Sequence, residues 1–310
     1  MLTRAHPPRH TDGPPVRSPP SVKFVLSAAF NDPAHLLPLA VVAEECGFAA
    51  MSFPDHVVHP ETIDTPYPYT ADGSRRWQAF TPWVDPWVAI GACAAATTRL
   101  RFTNNVFVLA MRNPFLAAKA IATAAVLSGD RVTLTLGVGW SNVEYELMGQ
   151  EFRTRGRRTD EMIEVLRKLW TGEMVEHRGD HYRFDRLEMN PAPARRIPIW
   201  VGGISDPALR RAARNDGWLS DLQTSAEIGE CIARVREHRA ALGREGEPFD
   251  VMASASDAFT VEGYAGLAEA GVTHVLTLPW VFYHGDTKDL EAKKDGMRRF
   301  AADVIAAFPA

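Results

Sequence analysis

The chain has little of what marks secreted, disulfide-rich or membrane-spanning proteins. Its three cysteines, Cys46, Cys93 and Cys231, are far apart and form no C-x-x-C pair. This excludes a disulfide framework and indicates buried thiols in a reducing cytoplasm. No stretch approaches the roughly 20 apolar residues that a membrane-spanning helix needs. Residues 1–20 contain six prolines but no apolar segment, so we expect a disordered tail and not a signal peptide. The sequence thus predicts a cytoplasmic protein without membrane contact.

Long basic segments and common nucleotide- or metal-binding motifs are also missing. The formal net charge is −4, and no cluster of Lys and Arg stands out beyond residues 153–158, so nucleic acid is not an expected partner. That basic run is either a solvated helix start or a landing site for the anionic tail of a cofactor. No Walker A, dinucleotide or H-E-x-x-H motif occurs. Asp55-His56 with His59 has metal-ligand spacing, but no further ligand cluster accompanies it, so no metal site is predicted.

The chain does contain a regular alternation of strand-like apolar runs with helix-like segments. The candidate strands are Val22–Ala28, Ala49–Phe53, Leu100–Ala110, Val132–Val138, Ile197–Val201, Trp218–Ser220, Val251–Ser254 and His274–Leu278. Eight such units in 310 residues predict one α/β domain over residues 21–310, folded as a TIM (β/α)8 barrel. A doubly wound open sheet is the alternative, because the sixth and seventh strands are weakly marked.

Two segments interrupt the alternation. Glu173–Met189 is predicted to form a hairpin inserted between units. Residues 57–85 form a long loop, and loops of this length are usually functional or mobile. Its aromatic side chains either wall an apolar substrate pocket or anchor the loop to the barrel rim; they are Tyr67, Tyr69, Trp77, Phe80 and Trp83.

In a barrel of this type, chemistry belongs to the loops that follow the carboxyl ends of the strands. Asp55 and His56 directly follow the second strand. A carboxylate beside an imidazole could bind a cofactor and shuttle a proton, because histidine titrates near neutrality. A solvated loop pair is the alternative interpretation.

Two glycine-rich segments follow later strands. In Gly137–Asn142 the glycines allow backbone to approach a planar ligand, although a tight turn explains them equally well. In Val201–Asp206 a glycine pair precedes a helix, with Ser205 or Asp206 as its N-cap. This arrangement is typical of a phosphate-binding helix start.

Seven segments, in order and spacing, carry a family resemblance over roughly residues 22–280. They are Met51–His56, Arg112–Pro114, Leu127–Trp140, Phe152–Gly156, Leu169–Gly172, Ile197–Gly203 and Asp216–Trp218. Together they resemble the luciferase-like monooxygenase superfamily and, within it, the F420-dependent oxidoreductases. The resemblance implies a TIM barrel that binds a flavin or deazaflavin at its carboxyl-terminal mouth. With the apolar content of the helices, it also implies a homodimer.

The resemblance further implies roles for individual residues. His56 would be the catalytic proton donor or acceptor. Asn105 and Val106 fall where many relatives place a non-prolyl cis peptide against the cofactor ring. The remaining implied cofactor contacts are Asp55 at the deazaflavin, Trp140, Ser141 and Tyr145 along the cofactor, and Gly202, Gly203, Ser205 and Asp206 at its phosphate.

Two positions depart from the F420-dependent sugar-phosphate dehydrogenases. Asn142 stands where they carry an acidic catalytic residue, and Val108 replaces a cofactor-contacting hydroxyl. An amide cannot exchange protons as a carboxylate does, so we do not expect sugar-phosphate oxidation. We expect coenzyme F420 as cofactor and hydride transfer to or from a small alcohol, carbonyl compound or activated alkene. An FMN-dependent monooxygenase and a non-catalytic cofactor-binding protein of the same fold are the alternatives.

Overall fold

Strands and helices alternate along the chain in the computed structural model, which describes residues 21–70 and 72–308. The expected N-terminal tail, residues 1–20, lies outside the described residues. In chain order the strands are β1 (Lys23–Ser27), β2 (Ala50–Phe53), β3 (Arg101–Asn104), β4 (Phe107–Val108), β5 (Leu134–Gly137), β6 (Val175–Arg178), β7 (Arg183–Leu187), β8 (Ile199–Gly202), β9 (Gly217–Gln223), β10 (Asp250–Ala255) and β11 (His274–Thr277). Strands β6 and β7 form the predicted antiparallel hairpin. The other nine are parallel neighbours in the order β3-β2-β1-β11-β10-β9-β8-β5-β4.

The two ends of this sheet meet and close it. Strands β3 and β4 are at opposite ends of the order, yet only two residues separate them along the chain. Phe102 of β3 pairs with Val132, just before β5, and Phe107 of β4 pairs with Leu136 of β5. The two short strands therefore occupy one position in the wall, between β2 and β5. The sheet closes with eight strand positions, which confirms the predicted TIM barrel. A doubly wound sheet would have kept two free edges.

Two of the predicted strands differ in extent from the observed ones. The predicted strand Leu100–Ala110 is divided into β3 and β4, because the chain leaves strand geometry at Asn105 and Val106, which are joined by a cis peptide bond. The weakly marked sixth strand is longer than predicted and extends over Gly217–Gln223. Its register with both β8 and β10 stabilises it beyond what its own sequence indicates.

The helices surround the barrel, and several begin where a polar cap precedes an apolar run. They are α1 (Leu36–Glu45), α2 (Pro86–Ala95), α3 (Pro114–Leu127), α4 (Asn142–Leu147), α5 (Arg155–Leu169), α6 (Asp206–Ala213), α7 (Ser225–Ala241), α8 (Val261–Ala270), α9 (Val281–His284) and α10 (Leu290–Asp303). Asp85 and Asn113 accept hydrogen bonds from the first amides of α2 and α3, and each helix then starts with proline, a favoured combination. No described helix is long and apolar enough to span a bilayer.

Alternation along the strands divides the core into two layers. Phe24, Leu26, Met51 and Phe53 belong to the large cluster between the strands and the helices. The intervening positions point into the barrel, because successive strand side chains face opposite sides. There a smaller cluster is formed by Val25, Ala50, Trp200, Leu219, Met252 and Leu276, with Val106 packed against it. This inner layer fills the barrel interior below the carboxyl-terminal mouth.

Candidate active site

A cavity of about 950 Å³ opens at the carboxyl ends of the barrel strands. Residues at or after all eight strand positions line it, as expected for a TIM barrel. Ten of the eleven site residues predicted from the sequence are on its wall: Asp55, His56, Asn105, Val106, Trp140, Ser141, Tyr145, Gly202, Gly203 and Ser205. Folding therefore brings these separate segments to one place.

His56 lies on the cavity wall with one ring nitrogen already bound by the protein. Its Nδ1 is 2.9 Å from Oε2 of Glu144. The imidazole also packs against the rings of Trp77 and Trp83, at centroid distances of 4.6 and 4.8 Å. Over the described parts of the chain, no group forms a hydrogen bond with Nε2. A carboxylate on Nδ1 fixes the ring orientation, so Nε2 is the atom that can exchange a proton.

Glu144 is a site residue that the sequence analysis missed. Its side chain is 3% exposed, and its Oε1 accepts hydrogen bonds from the backbone amides of Val57 (2.9 Å) and Val58 (3.5 Å). Burial raises the pKa of the Glu144 carboxyl, but the hydrogen bonds from His56 and these two amides outweigh it, so the pKa lies below its usual value. Glu144 is therefore an anion that holds both His56 and the start of the loop 57–85.

The sequence did carry a signal for Glu144. Ser141 and Glu144 form an S-x-x-E pattern, the signature of a capped helix start. Ser141 caps α4 and accepts a hydrogen bond from the Glu144 amide at 3.3 Å. The pattern predicts the helix, but it does not predict that the carboxylate reaches His56, 88 residues away along the chain.

Asp55 is a buried residue of the cavity wall, and both of its carboxylate oxygens are bound by protein groups. Oδ2 accepts a hydrogen bond from the Val108 amide at 2.9 Å, and Oδ1 pairs with Arg112 at 2.6 Å. Burial raises the pKa of Asp55 and the Arg112 guanidinium opposes this rise. The Asp55 carboxylate thus holds Val108, and with it β4, close to the end of β2.

The peptide bond between Asn105 and Val106 is cis, in the place that the resemblance implied. The Val106 side chain fills space that two neighbouring glycines leave free. A Cβ atom on Gly137 or on Gly202 would come within 2.5 Å of a Val106 methyl group. These glycines are therefore required for packing inside the barrel, which the sequence analysis did not consider. Gly203 is different, because its φ of +113° is a conformation that residues with a side chain rarely adopt.

The start of α6 lies beside the cavity, and its donors are not used by the helix. The Ser205 hydroxyl is on the cavity wall and makes no capping hydrogen bond. Among residues 21–70 and 72–308, no group accepts a hydrogen bond from the backbone amides of residues 204–206. A helix start with free amides and a free hydroxyl has the donor set of an anion site.

Arg155 is the member of the basic run 153–158 that reaches the cavity. Its Nε donates to the Gly139 carbonyl at 3.3 Å, and its guanidinium stacks on Phe152, with 3.7 Å from Cζ to the ring centroid. No carboxylate of the described residues pairs with it. In contrast, Arg158 is buried and donates to the Ala110 carbonyl at 2.7 Å. The run is thus partly structural and partly a cation at the cavity.

Asp206 is the predicted site residue that does not line the cavity. Its carboxylate pairs with Arg210 at the next turn, and with Arg234 (2.9 Å) and His238 (3.2 Å) on α7. The hydrogen bond from Arg234 is the main reason that the pKa of Asp206 lies below its usual value. The side chain therefore ties α6 to α7, and only the backbone amide of Asp206 belongs to the helix-start site.

An aromatic wall surrounds His56 on the side of the loop 57–85. We use this term for Tyr67, Tyr69, Trp77, Trp83 and Trp140, which all line the cavity. Tyr67 is central, with edge-to-face contacts to Tyr69, Trp77 and Trp140 at 5.2–5.4 Å. Four of the five loop aromatics therefore form part of the pocket wall, which is one of the two interpretations that the sequence left open. Phe80 differs, because it is fully exposed and away from the cavity.

Two of the remaining positions have structural contacts. Tyr145 is buried, its hydroxyl donates to the Val138 carbonyl at 2.8 Å, and burial raises its pKa. The Asn142 amide donates to Asp64 and Glu146 and does not line the cavity. Although Asn142 stands where the sugar-phosphate dehydrogenases carry an acidic residue, the site still contains an acidic group, because Glu144 supplies one. No group of three or more His, Cys, Asp or Glu in the described ranges could hold a metal ion.

The family model for luciferase-like monooxygenases matches residues 2–295 of the chain. The chain belongs to the luciferase-like monooxygenase family. A relative from Mycobacterium tuberculosis, named only as an uncharacterised protein, is 40% identical over 288 residues, which cover 92% of this chain and 99% of the relative. Another member, the F420-dependent glucose-6-phosphate dehydrogenase of Segniliparus rotundus, is 27% identical over 289 residues, covering 90% of this chain and 81% of that protein.

Solved structures similar to this family member share its barrel. The F420-dependent tetrahydromethanopterin reductase of Methanopyrus kandleri gives a TM-score of 0.73 at 16% identity, with 93% of this chain and all of that chain covered. An F420-dependent secondary alcohol dehydrogenase, bound to an F420–acetone adduct, gives 0.73 at 17% identity, covering 94% and 99%. The monooxygenase RslO1 of Streptomyces bottropensis gives 0.71 at 18%, covering 93% and 100%. At these identities the likeness shows the fold alone.

Proposed function

We propose that this protein is an F420-dependent oxidoreductase that transfers a hydride between the deazaflavin and a small organic alcohol, carbonyl compound or activated alkene. The observation that carries the proposal is the His56–Glu144 pair, 2.9 Å apart at the wall of a cavity of about 950 Å³. Hydride transfer to a carbonyl carbon leaves an oxygen that needs a proton, and transfer from an alcohol releases one. In this proposal, His56 Nε2 serves both directions.

The Glu144 carboxylate defines how His56 works in this proposal. When the imidazole is neutral, its Nδ1–H donates to Glu144 and Nε2 is a proton acceptor. When the imidazole is protonated, Nε2–H is a donor and the buried carboxylate stabilises the cation. Fixing the ring in one orientation lowers the entropic cost of reaching the transition state. Glu144 is thus a positioning residue, and His56 is the catalytic residue.

Several groups on the cavity wall could bind F420. The Ser205 hydroxyl and the amides of residues 204–206 would form a donor set for the cofactor phosphate, and Arg155 supplies a cation on the same cavity wall. Asn105, Val106 and Trp140 would contact the ring. When bound, the deazaflavin supplies or accepts the hydride, which is chemistry that no side chain can perform.

A titration of the purified protein with F420 and with FMN tests the cofactor. We expect micromolar or tighter binding of F420 and at least 10-fold weaker binding of FMN. The support is the resemblance to F420-dependent enzymes together with a cation, Arg155, that can meet an anionic tail. Tighter binding of FMN would reject the proposal and favour a monooxygenase, as in the fold neighbour RslO1.

We also propose that the protein is a homodimer. Helices α2 and α3 expose apolar side chains that a second copy could cover. Val88 and Leu116 are each 73% exposed and Leu127 is 69% exposed. Burying such side chains contributes roughly 25 cal/mol for each Å² removed from water.

A further inference from the structure

We infer that the cavity selects an uncharged, predominantly apolar substrate, with a carbonyl or alcohol group beside His56, and rejects phosphate esters and carboxylates. This inference rests on the proposed function and adds the substrate class to it. Three observations carry it: the aromatic wall, an apolar rim, and the internal pairing of the charges at the substrate end.

An apolar rim adds exposed apolar side chains to the cavity wall. It consists of Phe30, Leu222, Phe259, Val281 and Phe282, which line the cavity and are each more than a third exposed. Contiguous exposed apolar side chains at a cavity mouth mark a ligand-binding surface. Loss of hydration at this rim would be costly for a charged substrate and favourable for an apolar one.

The acidic side chains on the cavity wall are each paired with a base. Asp55 pairs with Arg112, Glu144 with His56, and Asp221 with Arg76. On the described part of the wall, Arg76 and Arg155 are the only arginines and there is no lysine. Arg155 lies at the Gly139 and Phe152 end, which the cofactor proposal already uses.

Arg76 is therefore the cation that decides whether the substrate end accepts an anion. Its Nη2 lies 2.6 Å from Oδ2 of Asp221 and 2.8 Å from the Tyr67 hydroxyl, and its Nε lies 3.1 Å from the same hydroxyl. Arg76 comes from the loop 57–85 and Asp221 from β9, so the ion pair also joins the loop to the barrel. With Asp221 present, the Arg76–Asp221 pair has no net charge, so it offers no uncompensated cation to a substrate anion.

The reaction under this inference is the reduction of a neutral ketone. F420, if held in its reduced form, would supply the hydride for the carbonyl carbon as the two-electron donor. As the carbon–oxygen π bond breaks, its electron pair moves to the oxygen, which would take a proton from His56, so that the ketone becomes a secondary alcohol. No further reactant is required.

A matched set of ligands tests the charge preference: cyclohexanone, methyl 4-oxocyclohexanecarboxylate, 4-oxocyclohexanecarboxylate and glucose 6-phosphate. Binding to the F420-loaded protein is followed by the fluorescence of the wall tryptophans, so turnover is not needed. Turnover is measured separately with reduced F420. We expect the methyl ester to bind at least 10-fold tighter than the carboxylate. Equal or tighter binding of the carboxylate or of glucose 6-phosphate would overturn the inference.

Two substitutions that remove charges of opposite sign from the ion pair strengthen the test. Asp221→Asn leaves Arg76 as an uncompensated cation, so the ester-to-carboxylate preference should fall by about 10-fold or more. Arg76→Met leaves Asp221 as an anion, so the preference should be kept or increase. Asp185→Asn is the control, because it releases Arg178 from an ion pair on the hairpin, outside the cavity. If Asp221→Asn folds and the preference is unchanged, Arg76 does not set it and the inference is wrong.

The two proposals fail in different ways. Absence of F420 binding rejects the proposed function, whatever the ligand preference. Normal F420 binding with preferred binding of the anionic ligand leaves the oxidoreductase proposal intact and removes the substrate class.

Discussion

At the residue scale, the proposed function gives His56 and Glu144 separable tasks: His56 would exchange a proton, and Glu144 would hold the imidazole in place. Nδ1 is bound and Nε2 is open, so loss of the ring removes the proton and leaves the cofactor groups. This separation is what allows the two residues to be tested independently.

His56→Ala should lower kcat by about 10²–10⁴, the range typical of a lost general acid or base. His56→Asn retains a hydrogen-bonding side chain but cannot transfer a proton, so it should be nearly as slow. The dissociation constant of F420 should change little in both variants. His59→Asn is the matched control, since His59 does not line the cavity. Wild-type kcat in both His56 variants would mean that the proton comes from elsewhere.

Glu144→Gln should lower kcat by roughly 10-fold or more, because the imidazole loses the charge that orients it and stabilises its protonated form. In the His56→Ala background the same substitution should have little further effect, since coupled residues are not additive. A double-mutant cycle in kcat measures this coupling. If the two effects multiplied, Glu144 would be acting through some group other than His56.

Gly203→Ala should weaken F420 binding by about 10-fold or more. Its φ of +113° disfavours a side chain, and a Cβ atom would lie 3.2 Å from the Cβ of Ala208 in α6. Such a conformation costs about 1–3 kcal/mol for a residue other than glycine, and the strain falls on the helix-start site. Gly266→Ala in α8, where a Cβ meets nothing within 4 Å, is the control. Unchanged affinity in a folded Gly203→Ala would remove this segment from the cofactor site.

At the scale of elements, one carboxylate holds the connection between α2 and β3. Glu44 of α1 accepts hydrogen bonds from the amides of Thr98 (2.9 Å) and Leu100 (2.7 Å), and also from the Arg99 amide. Burial raises the pKa of Glu44, but the hydrogen bonds together outweigh it and lower the pKa to about 2. Helix α1 is thereby joined to the chain that enters the barrel wall.

Glu44→Gln should destabilise the protein by about 1 kcal/mol at pH 7, after allowance for the solvent exposure of Glu44. The folded-state pKa is below the ordinary value of 4.5, so the contribution is present above pH 4.5 and is lost as the pH falls toward 2. Urea unfolding should show that the difference in the free energy of unfolding between the unaltered protein and Glu44→Gln is smaller at pH 3 than at pH 7. Glu45→Gln, at the exposed neighbouring position, should show none. A difference that is equal at both pH values would contradict this account.

At the scale of the whole molecule, the apolar faces of α2 and α3 are the basis for the expected dimer. Light scattering should give twice the chain mass of 34.2 kDa. Leu116→Asp should shift the protein toward the monomer, because a carboxylate in an apolar contact is costly to bury. Leu242→Asp, at the end of α7 where Leu242 is half exposed, should leave the mass unchanged. A monomer for the unaltered protein at assay concentration would refute the dimer.

The barrel and most of its strand order follow from the sequence, because hydrophobic periodicity and capping are local properties. The runs 23–27 and 50–53 are mostly apolar, and polar caps such as Asp85 and Asn113 fix where helices start. The position of the cavity also follows from local reasoning, since loops after parallel strands meet at one end of the barrel.

The tertiary structure alone decided the contacts between segments that are distant in sequence. The His56–Glu144 pair spans 88 residues and the Arg76–Asp221 pair spans 145. Val106 occupies the space that Gly137 and Gly202 leave free, so glycines that suggested a ligand approach are required for packing. Such contacts depend on how the barrel closes and on the register of its strands. A capping pattern or an apolar run determines the local conformation of the backbone, but it carries no information on which distant side chain a carboxylate will meet.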